Sequence, residues 1–319
     1  MTNTDLALNA EAIISAWSHL PYQHLHPMRE DAVNTYLARF GSFSDANFSC
    51  EDGAQRLAIL RGLDGETRVL GLKCGRLEPL ILNVEEELSD RAIAGSMRFI
   101  HETIRCSTFD HISSVVACAD VHTQLALAAA DFRLADTILG YHAQLDSIDL
   151  GDDDPDVRES RPEDVEMLSE IAFRCFCERK MNGNRFAMDP VFDSNSVGAL
   201  YASWLKGAIL EHQADRCFVF DDGSVSGFMT FKLPTDIEKS VGYSMGKAVL
   251  SGVHPERQGR GIYRRLLLAG ARWLKSLGVE KMEGKTQITT TPAIRAWQKL
   301  GAHLNITYHT FHWTNQSRV

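Results

Sequence analysis

The chain has 319 residues, 44% apolar and 24% charged, with 33 basic against 42 acidic side chains and a net charge of −9. That length suits about two domains and buries enough core to need no disulfide or metal staple, and the composition excludes a disordered, collagen-like or coiled-coil chain. No run of about 18 apolar residues marks a membrane span, the N-terminus lacks the pattern of a secretory signal, and the acidic sum argues against nucleic-acid binding.

In chain order, the first 45 residues read as helical, over 7–17 and 31–40, with a break at Pro21 and Pro27. Residues 56–61 and 68–74 read as strands around a turn at Asp64-Gly65. Residues 90–104 form an amphipathic helix that Asp90 can cap, with Ile93, Met97 and Ile100 recurring at helical spacing. A strand over 111–119, a helix over 122–131 and a strand over 137–146 follow. The run Gly-Asp-Asp-Asp-Pro-Asp at 151–156 cannot build a core element and reads as a solvated linker.

Beyond it the same grammar returns. Helices are expected over 161–175, with Pro162 near the first position, and over 200–211, with Tyr201, Trp204 and Leu205 on one face. Strands over 217–220 and 225–233 flank the hairpin signal Asp221-Asp222-Gly223. Then come a strand over 248–253, a helix over 263–277 ending at Gly278, a strand over 281–288, a helix over 292–300 ending at Gly301 and a last strand over 306–313. Early hairpins with alternating strands and helices imply an α/β chain, with α+β mixed sheets covered by helices, built twice. The expected organisation is an N-terminal helical extension (1–45), a first domain (46–150) and a second (157–319).

The seven cysteines are odd in number and scattered, and Cys175 and Cys177 form C-x-C rather than C-x-x-C, so neither a disulfide framework nor a metal site is expected. Reduced thiols fit a cytoplasmic protein. The twelve histidines show no ligand spacing. The charge is uneven: residues 251–319 hold 11 basic and 3 acidic side chains, a net of +8 inside an acidic chain. Either an anion is kept there or a basic face pairs with acidic surroundings.

The segment Val253-His254-Pro255-Glu256-Arg257-Gln258-Gly259-Arg260-Gly261-Ile262-Tyr263 runs from a strand through a glycine-rich turn into a helix. The two glycines let backbone approach a ligand, and the free N–H groups of the first helical turn make a phosphate-binding site. Arg257, Arg260, Arg264 and Arg265 add charge. It is neither a Walker loop nor G-x-G-x-x-G.

This segment resembles the acyl-CoA-binding motif Q/R-x-x-G-x-G/A of the GNAT superfamily of N-acetyltransferases, with Gln258 and Gly261 in place and Tyr263 at the last position. Arg185-Phe186-x-x-Asp189-Pro190-x-Phe192, Leu200-Tyr201-x-x-Trp204, Thr286-Gln287-Ile288 and Leu300-Gly301-Ala302 resemble the dTDP-fucosamine acetyltransferase-like branch, and Leu63 to Leu77 resembles its degenerate N-terminal half. The likeness covers about residues 55–315. It implies two tandem GNAT-like domains, the first degenerate, and direct acetyl transfer from acetyl-CoA, without a metal, to a small primary amine on a nucleotide-linked sugar. It further implies cofactor contacts from Ser251, Gly252, Val253, Gln258, Gly259, Arg260, Gly261, Ile262, Tyr263, Thr290 and Trp297, and acceptor contacts from Arg185, Asp189, Tyr201 and Trp204, although Tyr201 and Trp204 at i, i+3 on an apolar face fit core packing better and Arg185 with Asp189 also reads as a loop ion pair.

Trp297 occupies the place of the family's acidic Tyr, and an indole N–H does not release its proton near neutral pH. Three readings stay open. The thiolate leaves unaided; Tyr263, Tyr308 or another residue substitutes, with His254 a candidate base; or the protein binds acyl-CoA without transferring it, as a scaffold. Another small amine as acceptor and an oligomeric state are also left open.

Overall fold

In the computed structural model the described residues are 3–23, 29–39, 46–51, 54–84, 88–177 and 183–315. In chain order the helices and strands begin with α1 (Asn3–Ala16), α2 (Arg29–Leu37), β1 (Ala46–Glu51), β2 (Ala54–Gly62), α3 (Asp64–Leu70), β3 (Cys74–Val84), α4 (Asp90–Arg105), β4 (His111–Ala117), α5 (Val121–Ala129) and β5 (Arg133–Gln144). They continue with β6 (Val157–Glu159), α6 (Val165–Cys177), α7 (Arg185–Met188), α8 (Ser194–Leu210), β7 (Arg216–Asp221), β8 (Val225–Lys232) and α9 (Asp236–Ser240). The last are β9 (Met245–Val253), α10 (Ile262–Ser276), β10 (Lys281–Gln287), α11 (Thr291–Lys299) and β11 (His303–Thr314). No described helix is long and apolar enough to cross a membrane.

The chain divides into two compact units. The first holds the described residues up to Ala135, Asp236–Tyr243 and those from Thr307 onward; the second holds Asp136–Thr235 and Ser244–Ile306. The expected linker at 151–156 thus lies within the second unit, and its aspartates bind α10: Arg265 pairs with Asp154 and, at 2.7 Å, with Asp156, and Arg272 pairs with Asp153 at 3.2 Å.

In the first unit β1, β2 and β3 run antiparallel, β4 adds parallel to β3, and β11 adds antiparallel to β4 from Tyr308 onward. The pleat sends successive side chains to opposite faces. Leu57 and Ile81 therefore meet Ile13, Ile14 and Tyr36 of the two N-terminal helices and Trp17 just beyond the first. Their neighbours Ala58, Leu80 and Leu82 meet Phe99, Ile100 and Leu127 of α4 and α5. The helices α1 and α2 therefore cover one face of this sheet.

Three local expectations change here. Residues 68–70 are helical rather than strand, because Asp64 and Glu66 favour the N-terminus of α3 and Gly71, at φ +74°, closes it by donating to the Thr67 carbonyl. The strand begins only at Cys74. The cap of α4 is Ser89, whose hydroxyl accepts the Ala92 N–H at 3.2 Å, and Asp90 is the first helical residue.

The second unit carries six strands in the order β5-β10-β9-β8-β7-β6. Only the β9–β10 pair is parallel. On one face α10 and α11 bury Ile262, Leu266, Leu274, Trp297 and Leu300 against Tyr141, Met229, Phe231 and Met282. On the other, α6 packs on β8 and β9 and against α8.

Candidate active site

Two irregularities open the second sheet. β8 and β9 pair from Gly227–Val253 to Met229–Ser251, then slip by one residue before Phe231 meets Ala248. The extra residue makes a bulge, and Thr230 fills it: its hydroxyl donates to the Leu250 carbonyl at 3.2 Å and accepts the Leu250 N–H at 3.0 Å. On its other side β9 pairs with β10 only as far as Ala248 opposite Gly284. Beyond that point the strands part. A cleft of about 820 Å³ fills the gap, lined by residues 249–253 from β9 and by Lys285, Thr286 and Gln287 from β10.

One end of this cleft is built by the glycine turn. Gly259 and Gly261 have φ of +78° and +77°, a left-handed conformation that an L side chain rarely takes. Gly261 is the N-cap of α10, and the Arg265 N–H is the first to return to it, at 3.2 Å. The N–H groups of Ile262, Tyr263 and Arg264 thus have no partner within the helix, and these residues line the cleft. Gln258 braces the turn by donating to the Val253 carbonyl at 3.1 Å.

Charge is distributed by face. Arg265, Arg272 and Lys275 of α10 are neutralised by Asp146, Asp153, Asp154 and Asp156, and hydrogen bonding to Arg265 holds the Asp154 carboxyl below its usual range. Arg265 therefore serves the expected linker rather than the cleft. Arg257, which pairs with Asp222, lines the cleft together with Arg264, Arg295, Lys299 and Lys232. Among the described residues these last four make no ion pair. Arg295 and Lys299 stand one turn apart on α11 and were not expected from the sequence.

The middle of the cleft holds Ser251 and Tyr263. The Trp297 indole N–H donates to the Tyr263 hydroxyl at 3.2 Å, and Ser251 also hydrogen-bonds that hydroxyl. Burial raises the Tyr263 hydroxyl above its ordinary value, and the two hydrogen bonds oppose the rise. Trp297 itself is 1% exposed and does not line the cleft. It stacks on Tyr141 at 6.1 Å and lies over Gly284, where a Cβ would sit 2.1 Å from its ring. It is a core residue that supports Tyr263, and it lies behind the cleft wall rather than in it.

The far end is aromatic. Tyr201 stacks on Phe176 with centroids 3.8 Å apart, and Trp204 meets Tyr201 edge-on at 4.9 Å. Buried Asn184 caps α7 by accepting the N–H groups of Phe186 and Ala187 at 3.1 and 3.0 Å, which sets Arg185 at the cleft wall with its guanidinium 4.5 Å over the Phe186 ring. Asp136, 7% exposed, lines the same end. Burial pushes its carboxyl up to about 7, against the pull of the Thr137 backbone and of Arg185. Nothing in the sequence pattern singles out this residue.

Ser251, Gly252, Val253, Gln258, Gly259, Gly261, Ile262, Tyr263, Thr290, Arg185, Tyr201 and Trp204 are thus gathered around one cleft. The Thr290 hydroxyl oxygen is buried there without a hydrogen-bond partner. Arg260, Asp189, His254 and Tyr308 do not line it. Arg260 is exposed. Asp189 closes the short turn after α7 by accepting the Val191 N–H at 3.1 Å. The His254 Nδ1 accepts the Glu256 N–H at 3.4 Å and is consumed in the turn. Tyr308 is a buried strand residue of the first unit, paired with Ala117. Cys175 reaches the cleft as an inert thiol: burial pushes it up to about 12, and its Sγ donates to the Val253 carbonyl at 3.2 Å.

Residues 180–302 match the model of the acetyltransferase (GNAT) family. A mycothiol acetyltransferase of Saccharomonospora viridis is 35% identical over 91 residues, 28% of this chain and 30% of that protein's length. Among solved structures, a tandem GNAT protein from the clavulanic acid biosynthesis pathway superposes with a TM-score of 0.54 at 12% identity, covering 98% of this chain and 96% of the other. The glucosamine N-acetyltransferase region of a fungal multi-domain β-N-acetylglucosaminidase gives 0.60 at 14% identity, covering 98% of this chain and 37% of that one. The fold is that of two GNAT-like domains in tandem.

Proposed function

We propose that the protein is an acetyl-CoA-dependent N-acetyltransferase whose chemistry resides in the second unit, the first being a degenerate copy. The observation that carries this reading is the parting of β9 and β10 beside a glycine-led helix N-terminus flanked by cations that make no ion pair among the described residues. The residues fit acyl-CoA. Its phosphates suit the first-turn N–H groups of α10 with Arg257, Arg264, Arg295 and Lys299. Its acyl thioester suits the edge of β9 left without a strand partner, whose N–H groups can polarise a carbonyl.

Tyr263 then serves as the acid that protonates the leaving sulfur. The expected tyrosine position on α11 is an indole, but that indole holds a phenol from α10 in the cleft, which favours transfer over the alternative of a binding-only scaffold. The acceptor is a small primary amine. An amino sugar, nucleotide-linked as in the dTDP-fucosamine acetyltransferase-like branch, is the class we favour, since Tyr201 and Trp204 offer aromatic faces and Arg185 a cation at the far end. Six described cysteines form no disulfide, in keeping with a cytoplasmic setting.

The test is to incubate the protein with acetyl-CoA, a panel of amines and a thiol reagent, and to measure CoA binding by calorimetry. We expect thiol release with amino sugars or their nucleotide conjugates and less with amino acids or polyamines. Tight CoA binding without release for any amine would refute transfer.

A further inference from the structure

We propose that Asp136 is the general base of the reaction, the group that takes the proton from the acceptor ammonium. This assignment rests on the acetyl-transfer reading above and deepens it. Among the described residues that line the cleft, Asp136 is the only carboxylate, and it is 7% exposed. Among the described residues it makes no ion pair. The charged and titratable groups that feel it are Arg185 from α7 and Tyr201 from α8, while Cys175 from α6 and Lys285 from β10 line the same cleft. None of these neutralises it by direct contact, and Tyr201 feels its charge only at a distance.

A buried carboxylate that accepts a backbone hydrogen bond from Thr137 but has no counter-charge in direct contact is costly to the fold and marks a place where a cationic ligand group is expected. Here that group would be cationic, because a primary amine reaches a neutral-pH site as an ammonium with no lone pair to attack. Burial leaves the Asp136 carboxyl titrating near 7, so it is basic enough to take a proton and acidic enough to release it. Its opposite number in the same cleft is Tyr263, whose hydroxyl is held above its ordinary value. Two groups pushed to different ranges divide the acid and base roles.

The protons balance as follows. The ammonium passes one proton to Asp136, which releases it to water. The nitrogen lone pair forms the N–C bond to the acetyl carbon as the C–S bond breaks. The sulfur takes the Tyr263 hydroxyl proton, and the second proton lost by nitrogen restores that hydroxyl. One proton is released per turnover.

The experiment uses full-length protein, glucosamine and 1,4-diaminobutane as probe amines, and aspartate labelled with ¹³C at the side-chain carboxyl. In spectra of the wild type and of Asp136→Asn, one carboxyl resonance titrating near pH 7 should be missing from the variant. With either amine that the wild type acetylates, kcat/KM should fall below pH 7. In Asp136→Asn it should drop at least 100-fold at pH 8, and the limb near 7 common to both amines should give way to a pH dependence that follows each amine's own ionisation, with the Kd for CoA unchanged within twofold. An intact CoA Kd also reports that the variant is folded, and Asp136→Glu should recover part of the rate. Wild-type transfer that Asp136→Asn retains within threefold, or a carboxyl that titrates near 4, overturns the assignment and leaves acetyl transfer standing. No transfer by the wild type to these two amines or to any amine of the panel above, with the carboxyl still titrating near 7, overturns the transfer reading instead.

Discussion

Gly261 is the residue on which the proposed anion end of the cleft turns. Its φ of +77° is strained for any L side chain, and its position at the head of α10 makes a negative charge there repel a bound phosphate. Gly261→Asp should weaken CoA binding at least 100-fold, about 2.7 kcal/mol by calorimetry; unchanged affinity would remove the anion site from this turn. Tyr263→Phe separates binding from chemistry. The hydroxyl is lost while the ring stays packed, so CoA affinity should hold and kcat should fall by roughly 10²–10⁴. A kcat within a fewfold of wild type would show that the thiolate leaves unaided. Asp136 adds a stability signature. Its carboxyl titrates higher in the folded protein than in the unfolded chain, so the native state gains from protonation at low pH, and that gain is lost as pH rises through about 7. Asp136→Asn should therefore raise Tm at pH 8 and have a smaller effect at pH 5. Gln258, Gly259 and Gly261 were legible because their chemistry is written in consecutive residues. Asp136 was not, because a lone aspartate near the start of a strand has no periodic or motif signal and acquires its role only when β5 is laid beside β10.

At the scale of elements, α10 shows why a net charge misleads. Its basic residues point two ways, toward the acidic stretch at 146–156 and toward the cleft. One helix thus carries basic residues paired with acidic side chains, as one reading of the +8 segment has it, and others that face the cleft, where the other reading would keep an anion. Reversing Arg295 and Lys299 on α11 to glutamate should weaken CoA binding 10- to 100-fold at low salt, with a smaller difference at high salt, where exposed charges are screened. Arg265→Ala should leave CoA affinity within twofold and instead cost the fold on the order of 1 kcal/mol, since the pair it forms with Asp154 is only partly buried. A CoA affinity more sensitive to Arg265 than to the α11 pair would reverse this division of roles. The elements themselves were legible where a period was long, as in α4 and α10. Residues 64–74 were misread because the segment is too short for periodicity to decide and its outcome hangs on Gly71 closing a two-turn helix.

At the scale of the molecule, the two units are woven from the chain rather than laid end to end. Asp236–Tyr243 lies between two stretches of the second unit yet belongs to the first, as do the residues after Thr307. A composition shift such as the aspartate run at 151–156 suggests a boundary to the eye, but an acidic run can also be a counter-charge for a basic helix, and sequence alone does not distinguish the two. The consequence is testable by truncation. A fragment comprising 157–319 retains the glycine turn and all of α10, yet it lacks β5. Residues 281–287 of β10 would lose their antiparallel partner along the whole strand. Leu139, Tyr141 and Ala143, each buried in the core around Trp297, would be missing as well. An exposed sheet edge beside an unfilled core favours aggregation or a loosely packed state. The fragment should therefore express insolubly, or give a broad, non-cooperative thermal transition by circular dichroism and no measurable CoA binding. The full chain should melt with defined transitions and bind CoA. A soluble 157–319 fragment with full CoA affinity would show that the glycine turn and α10 are sufficient for the cleft without β5.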